Sequence, residues 1–163
     1  MKKAIAALMA LALCTGASAT AFAAEEFSTE LTFTLRNEPT YIVTIPTKVA
    51  MEKEGTEVEV VAEDVKDLNE GERISVTIAG TDYYRNQMVM VDPETRGTMR
   101  YQIITPDDRV LETTGDKDQM NGQEIVSFTE SGSATYTIKP VVAFNVKPGN
   151  YSGVITYGIE VVE

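Results

Sequence analysis

Residues 133–162 read SATYTIKPVVAFNVKPGNYSGVITYGIEVV, and the alternation within this stretch decides the fold class. In its second half Tyr151, Ile155, Tyr157, Ile159 and Val161 fall on one side, interleaved with Ser152, Thr156, Gly158 and Glu160. Successive side chains of a strand point to opposite faces, so this spacing builds one apolar and one wet face. A helix would place its apolar residues three and four apart. Between the halves, Pro148 presets φ while Gly149 and Asn150 tolerate left-handed backbone, so residues 147–150 specify a corner locally. The stretch predicts a long β-hairpin. Pro140, which has no amide to donate, marks an edge or a bulge in its first arm.

Outward from this stretch the same period recurs every ten to fifteen residues, and no helical spacing is sustained over three turns. Residues 27–35 carry Phe27, Leu31, Phe33 and Leu35 on one face, with Ser28, Glu30, Thr32 and Thr34 between them. Residues 41–45 alternate Tyr41, Val43 and Ile45, then stop at Pro46. Further strands are expected at 56–62, 74–79 with Ile74, Val76 and Ile78 inward, 87–91, 99–105 and 125–129. Met88 and Met90 alternate with Val89 and Val91, the mark of a strand buried on both sides. Residues 63–72 suit either a short helical turn or a solvated loop. Eight or nine short strands without room for crossover helices predict an all-β chain, a two-sheet antiparallel β-sandwich in the immunoglobulin-like or jelly-roll style. A small closed barrel is the alternative that periodicity leaves open.

The beginning of the chain has a different composition. Lys2 and Lys3, a short apolar run and the Ala21-Phe22-Ala23 triplet make an export signal, expected to be cut after Ala23. Its apolar run is too short to cross ~30 Å of hydrocarbon as a stable helix. The expected organisation is therefore residues 1–23 as signal peptide and 24–163 as one sandwich domain, working outside the cytoplasm, secreted or at the cell envelope. The only cysteine, Cys14, leaves with the signal, so the processed chain has neither disulfide nor thiolate and relies on packing.

Charge and missing residue types exclude further classes. Loss of Lys2 and Lys3 takes the 14 basic residues to 12 against 25 acidic, a net charge of −13. Phosphate would repel such a chain, so nucleic acid is excluded as a partner, and no membrane insertion is expected after signal removal. With no His anywhere and no Cys after processing, the usual general base near neutral pH and the thiol nucleophile are missing. No enzyme and no cofactor are expected.

Three constellations remain. Asp116, Asp118, Asn121 and Glu124 partly match an oxygen-ligand calcium loop, but Met120 lengthens the spacing, Ser127 stands at the twelfth position and flanking helices are lacking, so a polar hairpin turn is the favoured reading. Tyr83 and Tyr84, beside Arg85 and Asn86, fit an aromatic platform for a glycan. The competing reading packs one ring inward and leaves the other capping a loop. The amphipathic segment bearing Phe27, Leu31, Phe33 and Leu35 either pairs with its own sheet or is donated to the exposed edge of a neighbour.

The segments Tyr41-Ile42-Val43-Thr44-Ile45-Pro46 and PGNYSGVITYGIEVV resemble the small secreted β-sandwich surface proteins of Gram-positive Firmicutes, including the WxL-type proteins, with Tyr157 at the position of that family's tryptophan. The resemblance implies a surface or envelope protein without catalytic residues. The expected function is a noncatalytic structural or adhesive subunit whose partners are other surface proteins or further copies of itself, and a cell-wall or host glycan. The different-class alternative is a carbohydrate-binding or calcium-dependent module. Mass spectrometry of the exported product should give a chain beginning at Ala24; a product retaining Met1 would remove the basis for the extracytoplasmic setting.

Overall fold

The computed structural model describes residues 38–115 and 119–163, and these form nine strands and one 3₁₀ turn. In chain order the strands are β1 (Thr40–Thr44), β2 (Thr56–Lys66), β3 (Arg73–Thr81), β4 (Val89–Val91), β5 (Thr98–Ile104), β6 (Val110–Glu112), β7 (Glu124–Phe128), β8 (Gly132–Val141) and β9 (Ile155–Val162); the turn is Tyr84–Asn86. The larger sheet runs β1-β2-β8-β5-β4, with β6 also paired to β5. The smaller runs β7-β3-β9. Every pairing is antiparallel. The two sheets pack face to face as a β-sandwich.

The expected alternation accounts for the core. From the larger sheet come Val58, Val60 and Ala62 of β2, Tyr101 and Ile103 of β5, and Tyr136 and Ile138 of β8; from the smaller, Ile74, Val76 and Ile78 of β3 with Val126 and Phe128 of β7. All are buried, as are Met88, Val89 and Met90. Burial of each large aliphatic side chain contributes about 1.5–3 kcal/mol, which lets a chain without cross-links hold its two layers together. Bulges correct the parity where alternation alone would fail. Glu124 pairs with Thr77 and Val126 with Val76, so Ile125 is the extra residue, and Ile125 and Val126 are both buried although adjacent. A second extra residue, Asp64 or its neighbour in β2, separates the Thr40–Lys66 pair from Ile42–Glu63, and Asp64 takes the left-handed conformation with φ of 53°.

The C-terminal hairpin is corrected by the structure. β8 lies between β2 and β5 in the larger sheet, whereas β9 pairs with β3 in the smaller, so the two are not hydrogen-bonded neighbours. Residues 142–154 carry the chain across. The bend at Pro148 and Gly149 is present, but it returns the chain to the edge of β4, where Ser152 and Val91 exchange both backbone hydrogen bonds at 2.9 and 3.0 Å. Asp82 then holds the corner: its Oδ1 accepts from the Val154 amide at 2.9 Å, and its own amide donates to the Val154 carbonyl at 3.2 Å. The physical reason is partner choice. Local turn chemistry specifies that the chain reverses, not which strand receives it, and β3 offers β9 eight paired positions.

Pro140 sits opposite Tyr101, beyond Ile138, the last β8 residue that β2 pairs. One side of β8 is thus already unpaired where the amide is missing, as expected of an edge. Residues 63–66 continue β2 rather than forming a helical turn or loop, because Glu63 and Lys66 are paired by β1. Three-residue β6, unforeseen in the sequence, shares the outer edge of β5 with β4; the Thr113 hydroxyl accepts from the Met88 amide at 2.9 Å and joins the two. Gly149 lies against the buried Asp92, where any β-carbon would overlap Asp92 Oδ2.

The layers are also joined by polar atoms. The Tyr136 and Tyr157 hydroxyls, from β8 and β9, share a hydrogen bond of 2.5 Å between the sheets. Removing one hydroxyl leaves the other without that partner, so Tyr136→Phe should cost about 1 kcal/mol in urea unfolding. Tyr136→Phe combined with Tyr157→Phe should cost less than the two single changes summed. Additive losses would show that the bond contributes nothing.

Candidate interaction cleft

Pro46 ends β1, and residues 46–51 then cross toward the start of β2. Thr56 pins this crossing: its Oγ1 accepts from the Glu52 amide at 2.8 Å and donates to the Ala50 carbonyl at 3.1 Å. The crossing forms one bank of a cleft of about 490 Å³, and residues 153–155 with Tyr157 form the other. Met90, Tyr101 and Ile138 make its floor. A cleft of this size with mostly apolar walls and a few convergent hydroxyls is the ordinary setting for a ligand or an inserted side chain. Gly153 is needed at its rim, since a β-carbon there would come within 3.3 Å of Met90 Cγ and 3.4 Å of the Val89 carbonyl.

Among the described residues no strand pairs with the outer edge of β9. Its Ile155, Tyr157 and Val161 are only half-buried against the core, as are Tyr41, Val43 and Ile45 across the cleft. Ile159 is 39% exposed. Nothing in the residue types of 46–51 announced this arrangement. The signal that was legible is the inward parity of Tyr157 and Ile155.

The residues singled out in the sequence lie elsewhere or outside the described residues. Phe27, Leu31, Phe33 and Leu35 fall outside them, as do Asp116 and Asp118. Asn121 is exposed in the turn before β7, and the neighbouring amide of Gly122 donates to the Ile78 carbonyl at 2.7 Å. Glu124 opens β7; its Oε2 accepts from Ser75 Oγ at 2.6 Å and faces Arg73 Nε at 3.4 Å. That carboxylate therefore has partners on β3. Among the described residues no group of three acidic side chains converges. Tyr83 is half-buried on the wall of a second, more polar cavity of about 370 Å³, which Gln87, Arg100, Thr113 and Asn145 also line. Tyr84 is 69% exposed, with the Arg85 guanidinium 5.4 Å from its ring centre.

No protein-family model and no curated protein matches this chain. Among the described residues no helix is long and apolar enough to cross a membrane.

The hydroxyls at and below the cleft share one electrostatic character. Burial, then Asp82 and then Tyr157, push the Tyr101 hydroxyl well above the usual phenol range. Burial and the neighbouring Tyr157 do the same for Tyr136, and burial raises Tyr157 despite the hydrogen bond from Tyr136. The folded state thus favours the neutral phenols, while the unfolded chain ionises near pH 10. Their contribution is complete below pH 10 and is lost as pH rises beyond it. Urea-unfolding stability should therefore fall above pH 10, and less steeply in Tyr101→Phe. An unchanged slope in that variant would exclude Tyr101 as a source of the pH dependence.

Proposed function

We propose that this protein is a noncatalytic extracellular subunit of the cell surface, structural or adhesive, that works by protein–protein contact. The observation carrying this reading is the unequal sandwich: an eight-residue edge, β9, with an apolar cleft alongside it, set against a larger sheet whose β1 side chains are only half-covered. An unpaired edge presents a row of amides and carbonyls ready to take another strand, and an adjacent apolar cleft supplies pockets for its side chains. The connection between β8 and β9 adds a second contact surface, since Phe144 is fully exposed and Val142 is 55% exposed. The export signal, the net charge of −11 and the resemblance to Firmicutes surface proteins support the setting.

A glycan-binding reading has one observation in its favour, the exposed Tyr84 ring with Arg85 beside it. Size-exclusion chromatography with light scattering separates the two. The processed protein should gain mass with concentration from the micromolar range upward and show assemblies in electron micrographs. A monomer throughout, with binding to an immobilised glycan that Tyr84→Ala abolishes, would replace the subunit reading with the glycan-binding one.

A further inference from the structure

We infer that Asn121 is a site of spontaneous deamidation, gated by the hydrogen bond that ties the next amide, that of Gly122, to Ile78 of β3. The inference is independent of the contact reading above. Of the asparagines in the chain, Asn121 alone is followed by glycine. In this reaction the backbone nitrogen of the following residue attacks the asparagine Cγ. A new N–Cγ bond closes a five-membered imide, the Cγ–Nδ2 bond breaks, and ammonia leaves with the proton that the backbone nitrogen gives up. Water then adds to either imide carbonyl and opens the ring, giving aspartate or isoaspartate. The balance needs nothing but water. Glycine is the least hindering neighbour, because it has no β-carbon beside the attacking nitrogen.

The fold itself demands that glycine. Residues 120–123 form a turn closed by the Gln123 amide, which donates to the Met120 carbonyl at 3.2 Å. Gly122, third of the four, has φ of 82°, a conformation that side chains with a β-carbon rarely adopt. A tight entry into β7 therefore sets the most reactive neighbour beside Asn121, which is exposed to water. The same turn withholds the nucleophile. The Gly122 amide donates to the Ile78 carbonyl at 2.7 Å, and the Ile78 amide donates to the Gln123 carbonyl at 2.9 Å. Two bonds to one buried residue hold the turn against β3. Attack requires the Gly122 nitrogen to lose its proton and swing toward Cγ, so its bond to Ile78 must break first. Exposure of Asn121 alone would make the folded chain react as fast as the unfolded one, whereas the clamp makes the rate follow the opening of the turn. Isoaspartate then routes the backbone through one extra carbon, which moves Gly122 and Gln123 out of register with Ile78 and weakens the hold of β3 on β7.

The test incubates the purified protein at mildly alkaline pH, in buffer and in urea that unfolds it. Peptide mass spectrometry follows replacement of an asparagine amide by a carboxyl group, with isoaspartate separated by retention time. In urea Asn121 should be the first asparagine to convert, and in buffer its conversion should be slower by about tenfold or more. Ser75 supplies a second reading of the gate, since its Oγ donates to Glu124 Oε2 at 2.6 Å and fastens the start of β7 to β3. Ser75 is far from Asn121 in sequence, so Ser75→Ala should raise the rate in buffer about threefold while leaving the rate in urea unchanged. Equal rates in buffer and urea overturn the gate, as does a rate in buffer that Ser75→Ala fails to raise. Another asparagine converting first in urea overturns the site itself.

Discussion

The structure depends on β3 taking β9 rather than leaving it to β8. Eight register positions, from Arg73 opposite Val162 to Thr81 opposite Ile155, make β9 the outer strand of the smaller sheet and bring Tyr157 over Tyr136. Without that pairing, Ile74, Val76 and Ile78 would have β7 as their only hydrogen-bonded neighbour among the described strands, and a two-stranded ribbon is marginal in water. The same pairing sets the long crossing of residues 142–154 and opens the cleft between β9 and the segment after β1. Fold and candidate site therefore share one cause.

Side-chain parity was largely legible in the sequence. Period two in Ile74-Val76-Ile78, in the Tyr41-Val43-Ile45 run and in the final strand places residues inward because a strand has no other way to separate apolar from wet. Connectivity between sheets was not legible. Pro148 and Gly149 state that the chain turns, and the turn exists, but the choice between β8 and β3 as partner for β9 is made by packing across 80 residues of sequence. β6 escaped because three residues carry too little alternation to be distinguished from a loop. Bulges at Ile125 and Asp64 are likewise tertiary solutions, where one added residue lets both neighbours find the core or the partner strand.

The candidate site was harder to read for a related reason. Carboxylates invite a metal reading whenever they cluster in sequence, yet Glu124 is drawn to Arg73 and Ser75, residues about fifty positions away. Adjacent tyrosines suggest a shared platform, yet the 3₁₀ turn separates their environments, with Tyr83 on a cavity wall and Tyr84 in solvent. The cleft itself joins segments that look unremarkable in isolation: a crossing that begins at Pro46, a glycine at the rim and the first residues of a strand. Such a site is a property of how two distant segments are brought face to face, and no local motif encodes that.

The late position of β9 has a consequence for the order in which this chain gains its shape. The smaller layer lacks a flank until residues 155–162 have emerged, because nothing earlier among the described strands substitutes for them along β3. β2 likewise waits for β8, some 75 residues downstream. Topologies dominated by such distant pairings fold slowly. A polypeptide released from its amino end would accordingly remain pliable until residues 155–162 were free, and only then acquire its rigid shape.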